Sequence, residues 1–257
     1  MDKASIGGVI LAIVGIVAGL LMEGGNLGQI LQPTAALIVF GGTMGAVLLQ
    51  FPLTTVVSAF RGMAHIFAAP RKHDHHLIGQ LVGFANKARR NGVVSLDADL
   101  KTIEDPFLRQ TLMLAVDGTE PDELRKMMHV SLDSLLEREE QLPAVFESAG
   151  GFSPTVGILG AVLGLIQVMQ HLDNIQEVGR GIAVAFVATI YGVGIANLFF
   201  LPFAGKMRIR IRDGQRRREM MLEGVIGILE GMNPRMLELK LAGFADEPGR
   251  DKKEKSS

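Results

Sequence analysis

Ser148-Ala-Gly-Gly-Phe-Ser-Pro-Thr-Val-Gly-Ile-Leu-Gly-Ala-Val-Leu-Gly-Leu-Ile-Gln-Val-Met-Gln170 is a run of 23 residues without a charge. Crossing a hydrocarbon core about 30 Å thick takes roughly 20 helical residues at 1.5 Å rise. This run is long enough; an apolar helix buried in a soluble core is usually shorter. Three more runs lie outward from it: 25 residues from Gly181 to Gly205, 37 from Gly24 to Phe60 and 19 from Ala4 to Met22. They predict spans near 5–22, 34–51, 153–171 and 182–204. The first is read as a retained span rather than a cleaved leader, because Glu23-Gly24-Gly25-Asn26 follows it where a small-x-small cleavage site would sit.

Composition agrees. The 257 residues have a mean hydropathy of +0.29, 21% charged residues and 31 glycines. A soluble domain is about a quarter charged and carries about 7% Gly. The chain has no Cys, which excludes disulfides, thiolate metal sites and a thiol nucleophile. Its net charge of −1 gives no overall electrostatic reason to bind nucleic acid. No phosphate loop, nucleophile–base pair or zinc-protease motif is present, so the chain is not read as an enzyme. His73, His75 and His76 lack an evident fourth metal ligand, and the stretch 71–76 reads as a polar connector.

Orientation follows the basic residues. Of 26 Lys and Arg, segments 52–152 and 205–257 hold 24, while connections 23–33 and 172–181 hold only Arg180. The positive-inside rule places both large segments, and with four spans both termini, in the cytoplasm. The expected class is thus all-α: an integral membrane protein with four transmembrane helices and a helical cytoplasmic domain. Residues 1–51 hold the first two spans, 52–152 the cytoplasmic domain, 153–204 the last two spans, and 205–257 a basic helix and a disordered tail from 246.

Within segment 52–152, Leu77, Leu81, Phe84 and Ala88 mark a helix that stops at Asn91-Gly92. Asp105-Pro106 reads as a cap with Pro at the first helical position, opening a helix to Asp117-Gly118. Another opens at Pro121 and runs toward Phe146. Ser153-Pro154 reads as the start of the third span. After the fourth, the arginines of 206–218 are expected on a continued helix, their stems reaching toward lipid head groups. A helical face at Met221, Val225, Ile228 and Leu229 ends at Asn233-Pro234.

Small residues recur at helix-packing spacing: Gly15 and Gly19, Gly41 and Gly45, Gly160 and Gly164, then Gly181, Ala185, Ala188, Gly192 and Ala196. Such faces let helices approach closely in lipid, and four of them suggest an oligomer. None of the spans contains Asp, Glu, Lys or Arg, and His171 lies only at an edge. Ion pathways generally use an ionisable group at membrane depth. These spans offer neutral groups instead: Ser153, Thr155, Thr189, Tyr191, Asn197 and carbonyls freed by Pro154 and Pro202.

Residues 151–166 and Ala185-Phe-Val-Ala-Thr-Ile-Tyr-Gly-Val-Gly-Ile-Ala-Asn197 resemble the last two spans of the MotA/PomA flagellar stator subunits. Ala35-Ala-Leu-Ile-Val-Phe-Gly-Gly-Thr43 resembles their second span; Asp105-Pro-Phe-Leu-Arg109 and Leu114-Ala-Val-Asp-Gly-Thr-Glu-Pro121 resemble their cytoplasmic domain. The likeness covers roughly residues 4–240. It implies a pentameric ring in the bacterial inner membrane around a MotB/PomB-type partner, which supplies a membrane Asp and a cell-wall anchor. Ion flow would then drive torque on the rotor switch ring.

By the same resemblance, Pro154, Thr189 and Pro202 belong to the ion path, and Thr155 and Tyr191, neutral polar groups of the same spans, are read with them. Ala161 and Ala188 stand where sodium-driven members carry Thr, which implies the proton as coupling ion and no other cofactor. Arg89 or Arg90 and Asp97, with Asp99 nearby, match rotor-contact positions. The ExbB/TolQ energisers of outer-membrane processes share the last two spans and form the alternative reading.

Overall fold

The computed structural model describes residues 3–66 and 74–244, and every regular element among them is helical. Helix α1 spans Lys3–Met22, α2 Pro33–Gln50, α3 Leu53–Ile66, α4 Asp74–Asn91 and α5 Pro106–Val116. Then come α6 Pro121–Gln170, α7 Ile175–Ile195, α8 Leu201–Leu229 and α9 Pro234–Ala242. The chain forms two compact units, residues 1–70 with 138–210 and residues 71–137 with 211–257.

Helix α2, the Pro121–Gln170 helix and the α7–α8 helix are long and apolar enough to cross a membrane. A shorter apolar stretch, Ile6–Met22, occupies α1. Helix α2 starts with Pro33, whose fixed φ suits the first turn, and buries Ala35, Val39, Thr43 and Val47 at four-residue spacing. Asn174 caps α7, its side chain accepting from the Gln176 N–H at 3.1 Å.

Helices α6 and α7 meet through glycines. A Cβ on Gly164 would stand 2.8 Å from the Gly181 carbonyl oxygen, and one on Gly157 2.9 Å from that of Ala188. One on Gly192 would run into the Ser153 carbonyl. The backbones therefore touch, and no larger residue fits between them. Gly42 and Gly160 let α2 join: added carbons there would meet Val156 at 2.7 Å and Ile38 at 3.4 Å. By contrast Gly15, Gly19, Gly41 and Gly45 have open space beside them. Where the spans give way to polar sequence, Val47, Val56, Ala59, Val145, Ala149 and Met207 surround Phe146. The Phe60 and Phe203 rings meet Phe146 edge-on at 5.3 and 6.5 Å.

The second unit has its own core, in which α4, α5 and α9 join the start of α6 and the end of α8 around Leu81, Leu112, Met128, Met221 and Leu237. Gly92, at φ 79° and ψ 159°, follows α4 in an extended positive-φ conformation that glycine adopts without strain. The Asp105 carboxylate caps α5, accepting from Phe107 and Leu108 N–H groups at 3.0 and 3.3 Å.

Four readings of the sequence are corrected. Ser153-Pro154 does not begin a helix: both lie inside α6, which runs unbroken from Pro121. Asn233-Pro234 opens α9 as well as following a stop. The preceding helix ends at Leu229, and the Asn233 side chain caps the new one through the Arg235 N–H at 3.0 Å. Asp74, His75 and His76 belong to the first turn of α4 rather than to a connector, while Arg71, Lys72 and His73 lie outside the described residues. The arginines of 206–218 do continue a helix, yet protein groups engage several of them, Arg208 and Arg216 included. Arg208 pairs with Glu147 at 2.6 Å, and the Arg216 Nε donates to the Phe244 carbonyl at 3.0 Å. The tail from 246 lies outside the described residues.

Candidate functional site

Residues expected along an ion path are split by the fold. Thr155 is exposed and Thr189 half-buried; their hydroxyls donate to the backbone carbonyls of Phe152 at 2.7 Å and Ala185 at 3.2 Å. A hydroxyl that spends its hydrogen on its own helix presents only lone pairs outward. Such an oxygen suits a cation, or the O–H of a protonated carboxyl group brought by another chain. Ala161 is half-buried. Ala188 is fully buried in the glycine seam, its Cβ 2.8 Å from where a Gly160 Cβ would be.

Tyr191 is committed elsewhere. Its hydroxyl donates to the Ile30 carbonyl at 2.5 Å and accepts from the Gln32 N–H at 3.3 Å. Its ring lies 6.1 Å from that of Phe40. It thereby fastens the segment leading into α2 onto α7.

Pro154 sits half-buried within α6, where its ring removes one donor from the helix. Pro202 is exposed and follows a π-helical turn, Ala196–Phe200. The Leu201 N–H reaches back five residues to the Ala196 carbonyl. This wider turn relieves the clash between the proline ring and the carbonyl four residues earlier, so the helix continues past it. The sequence announced the proline but not the turn.

Thr43 escaped sequence reading as a site residue, whereas Ser153 is one of the neutral polar groups read in the spans. The hydroxyls of Thr43, 2% exposed, and Ser153, fully buried, make no hydrogen bond. They are the unsatisfied polar atoms of the seam, where an unpaired buried group usually marks a strained or functional place. The period of the α2 stripe was the available signal for Thr43.

In the second unit, Arg89 and Arg90 are exposed on the last turn of α4, and Asp97 is exposed on the 3-10 segment Val93–Thr102 that follows. None of these three makes an ion pair among the described residues. Asp99 does: its Oδ2 lies 2.6 Å from the Lys87 Nζ. Of the four residues expected to meet a rotor, two arginines and one aspartate thus remain without an ion pair among the described residues.

A family profile described as Motility protein A N-terminal matches residues 6–92, and one described as the MotA/TolQ/ExbB proton channel family matches 99–220. Motility protein A of Bacillus subtilis is 34% identical over 253 residues, covering 98% of this chain and 93% of its own length. Chemotaxis protein PomA of Vibrio alginolyticus is 30% identical, covering 97% and 98%. Among solved structures, C. jejuni MotAB superposes with a TM-score of 0.91 at 32% identity over 97% of this chain. The flagellar MotAB stator complex of Bacillus subtilis does so with 0.88 at 33% over the whole of it. With likeness of this depth across both units, the chain belongs to the motility protein A family, within the MotA/TolQ/ExbB proton channel group.

Proposed function

We propose that the chain is the subunit of a flagellar motor stator that, with a MotB-type partner, conducts protons and converts their flow into torque on the rotor switch ring. One observation carries this reading: a family of proton channels is represented here by spans without a single carboxylate, lysine or arginine. The titrating acid must come from a second polypeptide, and the structural neighbours are complexes of two kinds of chain. The match of residues 6–92 to the motility N-terminal profile favours a stator over an ExbB/TolQ-like energiser.

In this reading four spans lie in the bacterial inner membrane with both termini in the cytoplasm, where the basic segments belong. Five copies form the ring, and the open small-residue faces of α1 and α2 are available to neighbours or lipid. Thr155 and Thr189 offer hydroxyl oxygens to the acid as it gains and loses its proton. One charge crossing 100 mV releases about 2.3 kcal/mol, roughly four times thermal energy, so steps coupled to single ions are feasible. The coupling ion is the proton, since Ala161 and Ala188 supply none of the oxygens that sodium would need. Arg89, Arg90 and Asp97 meet the rotor.

Two measurements test this. Deletion of the gene is expected to abolish swimming with filaments intact; continued swimming with loss of outer-membrane uptake would instead establish the energiser. In the wild type, exchange of sodium for potassium is expected to leave swimming speed unchanged while a protonophore stops it. Arrest on sodium removal alone would overturn proton coupling.

A further inference from the structure

Arg89 and Arg90 close α4, and Asp97 lies on the 3-10 segment Val93–Thr102 that follows. How this segment folds back on α4 decides where its negative charge stands relative to the two positive ones. A 3-10 helix repeats every three residues, and its poorly aligned hydrogen bonds make runs beyond about four residues uncommon. A run of ten residues needs holds from outside itself.

The columns of the segment differ. Val93, Leu96 and Asp99 share one of them; Leu96 is fully buried and Val93 packs against the same core. Val94 and Asp97 share another, and both are exposed, Val94 to 71%. Asp99 is thus on the packed side, and it is half-buried. Its Oδ2 meets the Lys87 Nζ at 2.6 Å, the two side chains being 28% and 36% exposed. Among the described residues this is the one ion pair that joins α4 to the segment. It bridges 12 residues of sequence, and Lys87 stands one turn before Arg90 on the same helix. The pair therefore fastens the segment beside the turn that carries the arginines.

We propose that Lys87 and Asp99 are positioning residues for the rotor contact: neither touches the rotor, and their ion pair sets Asp97 in place against Arg89 and Arg90. This rests on the rotor-facing reading of those three residues. The physical reason is the short reach of surface charge. Exposed charges act over roughly a Debye length, about 8 Å at physiological salt, so a segment that swings off α4 presents a different field. The partner surface that reads this field carries acidic and basic groups at a matching separation.

The test uses the complete complex of this chain with its partner. Hydrogen–deuterium exchange reads the amides of residues 93–102, and bead rotation in cells reads torque per stator unit. Lys87→Met and Asp99→Asn are each expected to speed exchange in the segment about threefold, the order that a partly exposed ion pair supports, and to lower torque. The reversed pair, Lys87→Asp with Asp99→Lys, should bring both readings back toward wild type. A direct rotor role for Asp99 gives another pattern: Lys87→Met keeps full torque, exchange is unchanged in every variant, and the reversed pair stays defective. Any of these three results overturns the proposal. Faster exchange with full torque overturns it too, because the segment would then move without consequence. Melting of each purified complex checks that it folds. If the reversed pair does not fold, Lys87→Arg decides in its place: it should keep both readings near wild type, and a defect equal to that of Lys87→Met overturns the proposal. Exchange needs no rotor, so a wild-type complex that gave no torque would refute the stator reading and leave the exchange pattern legible.

Discussion

Glu223 lies between two cations, its Oε2 2.6 Å from the Lys240 Nζ and its Oε1 3.4 Å from the Arg125 Nε. Partial burial pushes its carboxyl upward, but Lys240 and Arg125 together outweigh that and hold it below its ordinary value of 4.5. A carboxyl lowered by folding stabilises the fold above its unfolded pKa and ceases to do so as the pH falls through the folded one. Glu223→Gln is therefore expected to destabilise the second unit by about 1 kcal/mol at neutral pH, since the pair is only partly buried. The difference should shrink as the pH drops below 4.5, as thermal melting followed by circular dichroism would reveal; a difference that grew with acidity would refute the assignment. Nothing in the sequence marked Glu223, because its partners lie 98 and 17 residues away along the chain. Arg89, Arg90 and Asp97 were easier to read: charges close together in sequence are left exposed. Asp99 looks alike in sequence, and only the approach of Lys87 sets it apart.

Helix pairs show where local patterns suffice. Small residues at three- and four-residue spacing on both helices of the hairpin foretold close packing, and the seam between α6 and α7 has it. The same spacing on α1 foretold nothing within this chain, since Gly15 and Gly19 have no neighbour there. Gly164→Val is accordingly expected to reduce the melting temperature of the detergent-solubilised protein, or prevent its accumulation. Overpacking costs about 1–3 kcal/mol even where side chains can move, and here the obstacle is backbone. Gly15→Ala should leave the melt of the single subunit unchanged. Equal tolerance at the two sites would mean that the seam is looser than described. Prolines misled where glycines did not. Ser153-Pro154 carries every local mark of a helix start, yet packing on both sides keeps α6 helical through it. At Pro202 the adjustment is a wider turn just upstream, which involves five ordinary residues and leaves no trace in composition.

Across the whole chain, the lengths of apolar runs and the absence of charge in them already announced a membrane protein built of helices. The division into compact units was less legible. Helices α6 and α8 each pass from one unit to the other, at 137–138 and 210–211, without a turn, glycine cluster or loop to mark the boundary. The lack of charge in the apolar helices also sets the behaviour of the isolated protein. Reconstituted in vesicles without its partner, it is expected to pass no proton current under an imposed pH gradient, as read by an enclosed pH-sensitive dye. A current from this chain alone would show that the ionisable group is not needed from outside. The fastening of Tyr191 to Ile30 and Gln32 has a further use, because the chain has one tyrosine and no tryptophan. The near-ultraviolet emission of the purified subunit arises from a single phenol at one known junction. Nature has thereby installed an optical reporter on the entry to the second span, and its brightness follows whether that latch is closed without any dye or label.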